Sequence, residues 1–189
     1  YFFSGLAGGS GSTGETGVEL AKVAHERGAE VVLWMGHAEV EMPEHIKTVR
    51  FSSFDDLQKL IRGHGFDIVL FPVAVSDYSP KAIPGKMPSD PSEIKLTLKR
   101  TPKLIDKINA KFVVGFKAQA RMADADLIKE AVELTKRSKC DLVVANRIED
   151  VKPGKSRILL VDKSGSSEEL RGTKSQIADK IMDRVVRMI

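Results

Sequence analysis

Short unbroken apolar runs alternate along this chain with longer stretches in which apolar residues recur every three or four positions. The runs fall at Tyr1–Ser4, Val31–Met35, Asp67–Phe71, Phe112–Phe116, Asp141–Ala145 and Arg157–Val161. Runs of that length without polar alternation predict strands covered on both faces. The amphipathic stretches lie between them. Glu15–Arg27 sets Val18, Ala21 and Ala24 or His25 on one face and ends at Gly28, which predicts a helix closed by a glycine cap. Ser53 is placed to cap a helix over Phe54–Arg62. Lys103–Asn109 predicts a short helix behind Pro102. Asp124–Ser138 aligns Leu127, Ala131 and Leu134, and Lys174–Met188 aligns Ile177, Ile181 and Val185. Strands alternating with helices predict an α/β fold, a doubly wound and mostly parallel Rossmann-like sheet, in one domain over residues 1–189.

Two segments depart from this rhythm. Leu6–Gly17 is rich in Gly, Ser and Thr, and its Gly8–Ser12 portion has the composition of a flexible linker. Ser79–Pro102 is broken by Pro and Gly, yet Ile94–Lys99 inside it alternates apolar and polar residues. That alternation predicts a half-buried strand. A strand on such an arm, residues 79–102, must cover its apolar side with something. A second subunit is the simplest cover, so the arm predicts a homodimer.

Composition narrows the function classes. Apolar residues make up 42% and charged residues 30%, ordinary values for a globular protein. The net charge of +4 suits an anionic small ligand better than nucleic acid, because few aromatics are present to stack bases. The single cysteine, Cys140, rules out an intrachain disulfide and a cysteine zinc cluster; it reads as a small packing residue. No long apolar run and no signal peptide is seen, so the expectation is a cytoplasmic protein without a membrane partner. His25, His37, His45 and His64 show no metal-binding spacing.

Chemistry is expected beyond the carboxyl ends of the strands, where open α/β sheets bind ligands. The stretch Phe71–Tyr78 leaves a buried strand through small residues and carries Ser76, Asp77 and Tyr78; Lys81 and Lys86 follow in the broken segment. Asp77 has three readings there: a ligand of Mg²⁺, a hydrogen-bonding partner of a substrate, or the cap of a turn. Lys86 is a flexible point charge suited to a phosphate. Gly8, Gly11, Gly14 and Gly17 lead from the first strand into the first helix, where backbone amides bind phosphate. Glu15 at that helix start suits the dipole but repels a phosphate. Phe116, Lys117 and Asn146 end two further strands: Phe116 can fill the core or meet a base, Lys117 adds positive charge, and Asn146 can read a base edge or cap a loop.

Five stretches, in order, resemble the phosphopantothenate–cysteine ligase family. They are Thr13–Gly17, Val73–Tyr78, Lys86–Ser89, Val113–Ala118 and Asp141–Asn146. Each is weak alone; the ordered set spans nearly the whole chain. The resemblance implies a ligase of coenzyme A biosynthesis that joins 4′-phosphopantothenate to cysteine through an acyl-nucleotidylate made from CTP or ATP. It implies Mg²⁺ as cofactor and a homodimer. It assigns phosphate and nucleotide binding to Thr13, Gly14, Gly17, Ala74, Val75, Ser76, Phe116, Lys117 and Asn146. Lys86 and Asp77 become the catalytic residues, with Asp77 also the metal ligand. The family's opening strand and Gly-Gly-Thr turn are not matched here. Gly5 stands where the family places an Asn, Glu15 where a basic residue is common and Gln119 where Glu is common.

Two other readings compete. One is a nucleotide-binding module of the same fold that has lost turnover, which Gly5, Glu15 and Gln119 favour. The other is an NAD(P)-dependent oxidoreductase. That reading wants an acid at the end of the second strand, whereas Trp34-Met35-Gly36-His37 supplies none, and it wants a Tyr-x-x-x-Lys pair that Tyr78 lacks.

Overall fold

The computed structural model describes residues 2–6, 13–38, 40–80 and 97–189. Gly8–Ser12, Lys81, Lys86–Ser89 and Ile94–Leu96 lie outside the described residues.

The chain runs β1 (Phe2–Leu6), α1 (Glu15–Glu26), β2 (Val31–Met35), β3 (Lys47–Arg50), α2 (Phe54–Gly63), β4 (Phe66–Phe71), β5 (Tyr78–Pro80) and β6 (Leu98–Arg100). It continues through a 3₁₀ turn at Leu104–Lys107, β7 (Ala110–Gln119), α3 (Asp124–Ser138), β8 (Leu142–Arg147), a second 3₁₀ turn at Ile148–Asp150, β9 (Val151–Lys152), β10 (Lys155–Asp162), β11 (Ser167–Gly172) and α4 (Lys174–Met188). The main sheet has the order β11-β10-β8-β7-β4-β1-β2-β3, with β9 paired to β10. Its six strands from β3 to β8 are parallel; β10 and β11 extend it antiparallel. The chain winds outward from β1 to β3, then returns to β4 on the other side of β1. The strand order therefore reverses between β1 and β4, the kind of position at whose carboxyl edge open α/β sheets bind ligands.

Both faces of the sheet are covered, which is why its strands read as continuous apolar runs. Alternate residues face opposite layers. Leu33, Leu70, Val114, Val144 and Leu160 join α1 and α4 in one core. Val32, Trp34, Val69 and Phe71 pack with α2 and the first 3₁₀ turn, while Val113, Val143, Ala145 and Val161 pack with α3. The helix faces read from the sequence hold: Val18, Ala21 and Ala24 of α1, Leu127, Ala131 and Leu134 of α3, and Ile177, Ile181 and Val185 of α4 are all buried. Gly28 takes φ +83°, a conformation glycine adopts without penalty, and ends α1 in a six-to-one, five-to-two hydrogen-bond pair: Ala29 N–H to Ala24 O at 3.1 Å and Gly28 N–H to His25 O at 2.9 Å.

Three expectations are corrected. Lys103–Asn109 is a 3₁₀ turn over Leu104–Lys107 and not an α-helix: the Asp106 and Ile108 N–H groups donate three residues back, to the Lys103 and Ile105 carbonyls, both at 3.3 Å. The described part of the alternating arm is not half-buried: Thr97–Arg100 is exposed throughout, and β6 pairs antiparallel with β5 as a separate ribbon. Lys47–Arg50 and Ser167–Gly172 are strands that apolar runs did not predict; both lie at the sheet margins, where a single covered face suffices.

Candidate active site

The expected residues that are described fall into two groups on opposite faces of the sheet. On the α1 face lies the start of α1. Its N-cap is Gly14, at φ +90°, with no side-chain cap. By contrast, α2 and α4 start with complete capping boxes. Thr13 Oγ1 is 3.5 Å from the Glu15 N–H. Register places Phe116 beside Val144 and Ala118 beside Asn146, so Phe116 and Asn146 follow the residues that face α1. Phe116 is half-buried and packs on that core; Asn146 Nδ2 donates to the Arg147 carbonyl at 3.0 Å. Lys117 turns to the other face, where its ammonium lies 3.0 Å from Glu130 of α3 and holds that carboxyl below its usual range.

On the α2 face a cleft of about 770 Å³ opens between the ends of β2, β3 and β4. Gly36, His37, Arg50, Ser53, Ala74, Val75 and Ser76 are among its walls. A second cleft, about 760 Å³, lies at the amino edge of the strands, lined by Asp67, Lys111, Asp141 and Lys163, which are ion-paired with one another. The two are alike in size, so position decides: only the first touches the loop that follows β4.

That loop, residues 72–77, divides the two groups. Thr101 straps it, its N–H donating to the Asp77 carbonyl at 2.9 Å and its hydroxyl to the Ser76 carbonyl at 2.5 Å. Asp77 is paired with Lys103. This contact first, and the nearby Lys103, Arg100 and Lys117 charges after it, hold the Asp77 carboxyl below its usual range. Among the described residues no cluster of three or more His, Cys, Asp or Glu side chains could hold a metal ion. Lys103 engages one oxygen of the Asp77 carboxylate, and the side chain remains more than half exposed.

Sequence reasoning missed four features here. Thr101 and Lys103 lie about two dozen residues beyond the loop they bind, beyond the reach of any local pattern. Glu15 is paired with Lys174 at the start of α4, a contact across 159 positions. Arg157 joins the start of α3 to the far strands: it meets Asp124 at 2.5 Å, Asp150 at 3.3 Å and Glu169 at 2.5 Å. Arg147, next to Asn146, meets Asp150 at 2.8 Å. Only that last pair, three residues apart, has a local signal.

Residues 8–188 match the family described as DNA/pantothenate metabolism flavoprotein C-terminal domain. The chain belongs to this family. The DNA/pantothenate metabolism flavoprotein C-terminal domain accounts for the ordered motifs and for the Rossmann-like sheet together. Among relatives of this domain, the coenzyme A biosynthesis bifunctional protein CoaBC of Thermococcus kodakarensis is 30% identical over 186 residues, which span 94% of this chain and 46% of that protein. The chain thus spans about half the length of that relative. The crystal structure of the C-terminal domain of the coenzyme A biosynthesis bifunctional protein CoaBC aligns with a TM-score of 0.79 at 23% identity, covering 99% of this chain and 94% of that one. A Cab2 mutant in complex with phosphopantothenate-cysteine aligns with a TM-score of 0.67 at 13% identity, covering 97% of this chain and 84% of that one. At such identities these two structures speak for the fold of the domain.

Proposed function

We propose that this chain is a phosphopantothenate–cysteine ligase domain. In this reading it joins 4′-phosphopantothenate to cysteine through an acyl-nucleotidylate formed from CTP or ATP. The observation that carries the reading is the family match over residues 8–188. The Thermococcus kodakarensis relative, a coenzyme A biosynthesis bifunctional protein, and the phosphopantothenate-cysteine in the Cab2 complex support the substrate class.

A free carboxylate has no leaving group, so amide formation needs it converted to a mixed anhydride. One carboxylate oxygen attacks the α-phosphorus, and the bond from that phosphorus to the pyrophosphate oxygen breaks. The cysteine amine then attacks the acyl carbon, the acyl–oxygen bond breaks, and the nucleoside monophosphate leaves as the amine loses its proton. The nucleotide would sit on the α1 face, its phosphates at Thr13, Gly14 and Gly17 and its base near Phe116 and Asn146. The acid substrate would enter the 770 Å³ cleft from the α2 face. Ala74, Val75 and Ser76 lie between the two and would set the attack geometry. The Glu15–Lys174 pair cancels the acid at the phosphate end. Lys86 would place positive charge beside the α-phosphate during attack. Mg²⁺ would enter this reading as the counter-ion of the triphosphate.

The test is pyrophosphate release from CTP or ATP in the presence of Mg²⁺. The reading expects release only when 4′-phosphopantothenate is added, and monophosphate release only when cysteine is added too. Nucleotide binding with no release would move the assignment to a module that has lost turnover, the reading favoured by Gly5.

A further inference from the structure

Asp77 is the only acid in the loop after β4, and cations approach it from three elements. Lys103 touches it directly; Arg100, at the end of β6, and Lys117, near the end of β7, add to the field. Lys103 is held in place from both sides. Thr101 binds the backbone of Ser76 and Asp77, and Leu104 is buried at 3% exposure. The ammonium is therefore carried to Asp77 by a segment fixed to the core. Asp77 itself is more than half exposed, so the pairing adds little to stability. Its consequence is electrostatic. An uncompensated carboxylate at the rim of a crevice repels a polyphosphate, and at a separation of several ångströms such repulsion is worth about tenfold in binding.

We propose that Lys103 is a positioning residue that fixes Asp77 and cancels its charge, so that a nucleoside triphosphate can settle over the loop after β4. The identity of the anion rests on the ligase reading; the ion pair and its strap do not. Lys103 acts through Asp77 and does not itself touch the phosphates.

The test is isothermal titration of CTP and of ATP, each with Mg²⁺, into the wild type, Lys103→Met, Lys103→Arg, Asp77→Asn and the double variant Asp77→Asn, Lys103→Met. Lys103→Met weakens nucleotide binding about tenfold, and Lys103→Arg keeps it within about threefold. The double variant binds within about twofold of Asp77→Asn alone, because a neutral Asn needs no cation. A role confined to holding the loop, or a direct lysine–phosphate contact, would leave the double variant as weak as Lys103→Met, and the proposal would be wrong. Unchanged binding in Lys103→Met would also overturn it, while leaving the ligase reading intact. A wild type that binds neither nucleotide would overturn both.

Discussion

A methyl group added at Gly115 would lie 2.9 Å from the Cys140 sulfur and 3.4 Å from the side chains of Ile105 and Leu134. All three neighbours belong to the packed layer between β7 and α3. Gly115→Ala should therefore cost about 1–3 kcal/mol in urea unfolding, and Cys140→Ala in the same chain should return part of it. Burial pushes the Cys140 thiol up to about 12, so the thiolate is scarce at neutral pH. Native protein at pH 8 should resist thiol reagents until denaturant is added; rapid labelling of the folded state would contradict this packing. The packing role of Cys140 was legible from its place at a helix–strand junction. The partner of Asp77 was not. A residue's type and neighbours in sequence say what it can do, but Lys103 and Asp77 meet only because the arm between them leaves and returns at one point, through the pairing of β5 with β6.

At the scale of elements, local chemistry was the more reliable guide. Ser53 caps α2 as expected: its hydroxyl accepts from the Asp56 N–H at 3.1 Å, and Asp56 in turn accepts from the Ser53 N–H at 3.1 Å. Ser53→Ala should cost about 1 kcal/mol. Strands such as Lys47–Arg50, with one strongly apolar residue, carry too little pattern to be read; their pairing is imposed by the neighbouring strand. The Arg157 cluster ties α3, the second 3₁₀ turn and β11 together without any periodic signal. Its contacts hold Asp124, Asp150 and Glu169 below the usual carboxylate range; the leading partner is Arg157 for Asp124, Arg147 for Asp150 and Arg171 for Glu169. Depressed carboxyls stabilise the fold above their unfolded values, and that contribution is lost as pH falls through the folded ones. Stability should thus decline from about pH 4 downward. Arg157→Met should cost about 2 kcal/mol at pH 7 and flatten that decline, measured by urea unfolding across pH. An unchanged pH profile in the variant would show that the cluster does not supply it.

For the whole molecule, alternation of strand and helix was enough to give a doubly wound parallel sheet, and its reversal point sits where ligands were expected. What the alternation does not carry is the division of that edge by the loop after β4, with a capless helix start on one face and an open cleft on the other. Two hydrophobic residues, Tyr78 at 57% and Leu98 at 55% exposure, stand on the ribbon at the base of the arm. If they are part of a subunit interface, Leu98→Asp should shift the mass found by light scattering from dimer to monomer; an unaltered mass would place the interface elsewhere. The central claim, activation of a carboxylate by nucleotidyl transfer, is best tested by following an oxygen atom. 4′-Phosphopantothenate labelled with ¹⁸O in its carboxylate is incubated with cysteine, Mg²⁺ and CTP or ATP, and the products are weighed by mass spectrometry. The account predicts 4′-phosphopantothenoylcysteine with one label passed to the nucleoside monophosphate. Label in inorganic phosphate, or no amide product with either nucleotide, would contradict it.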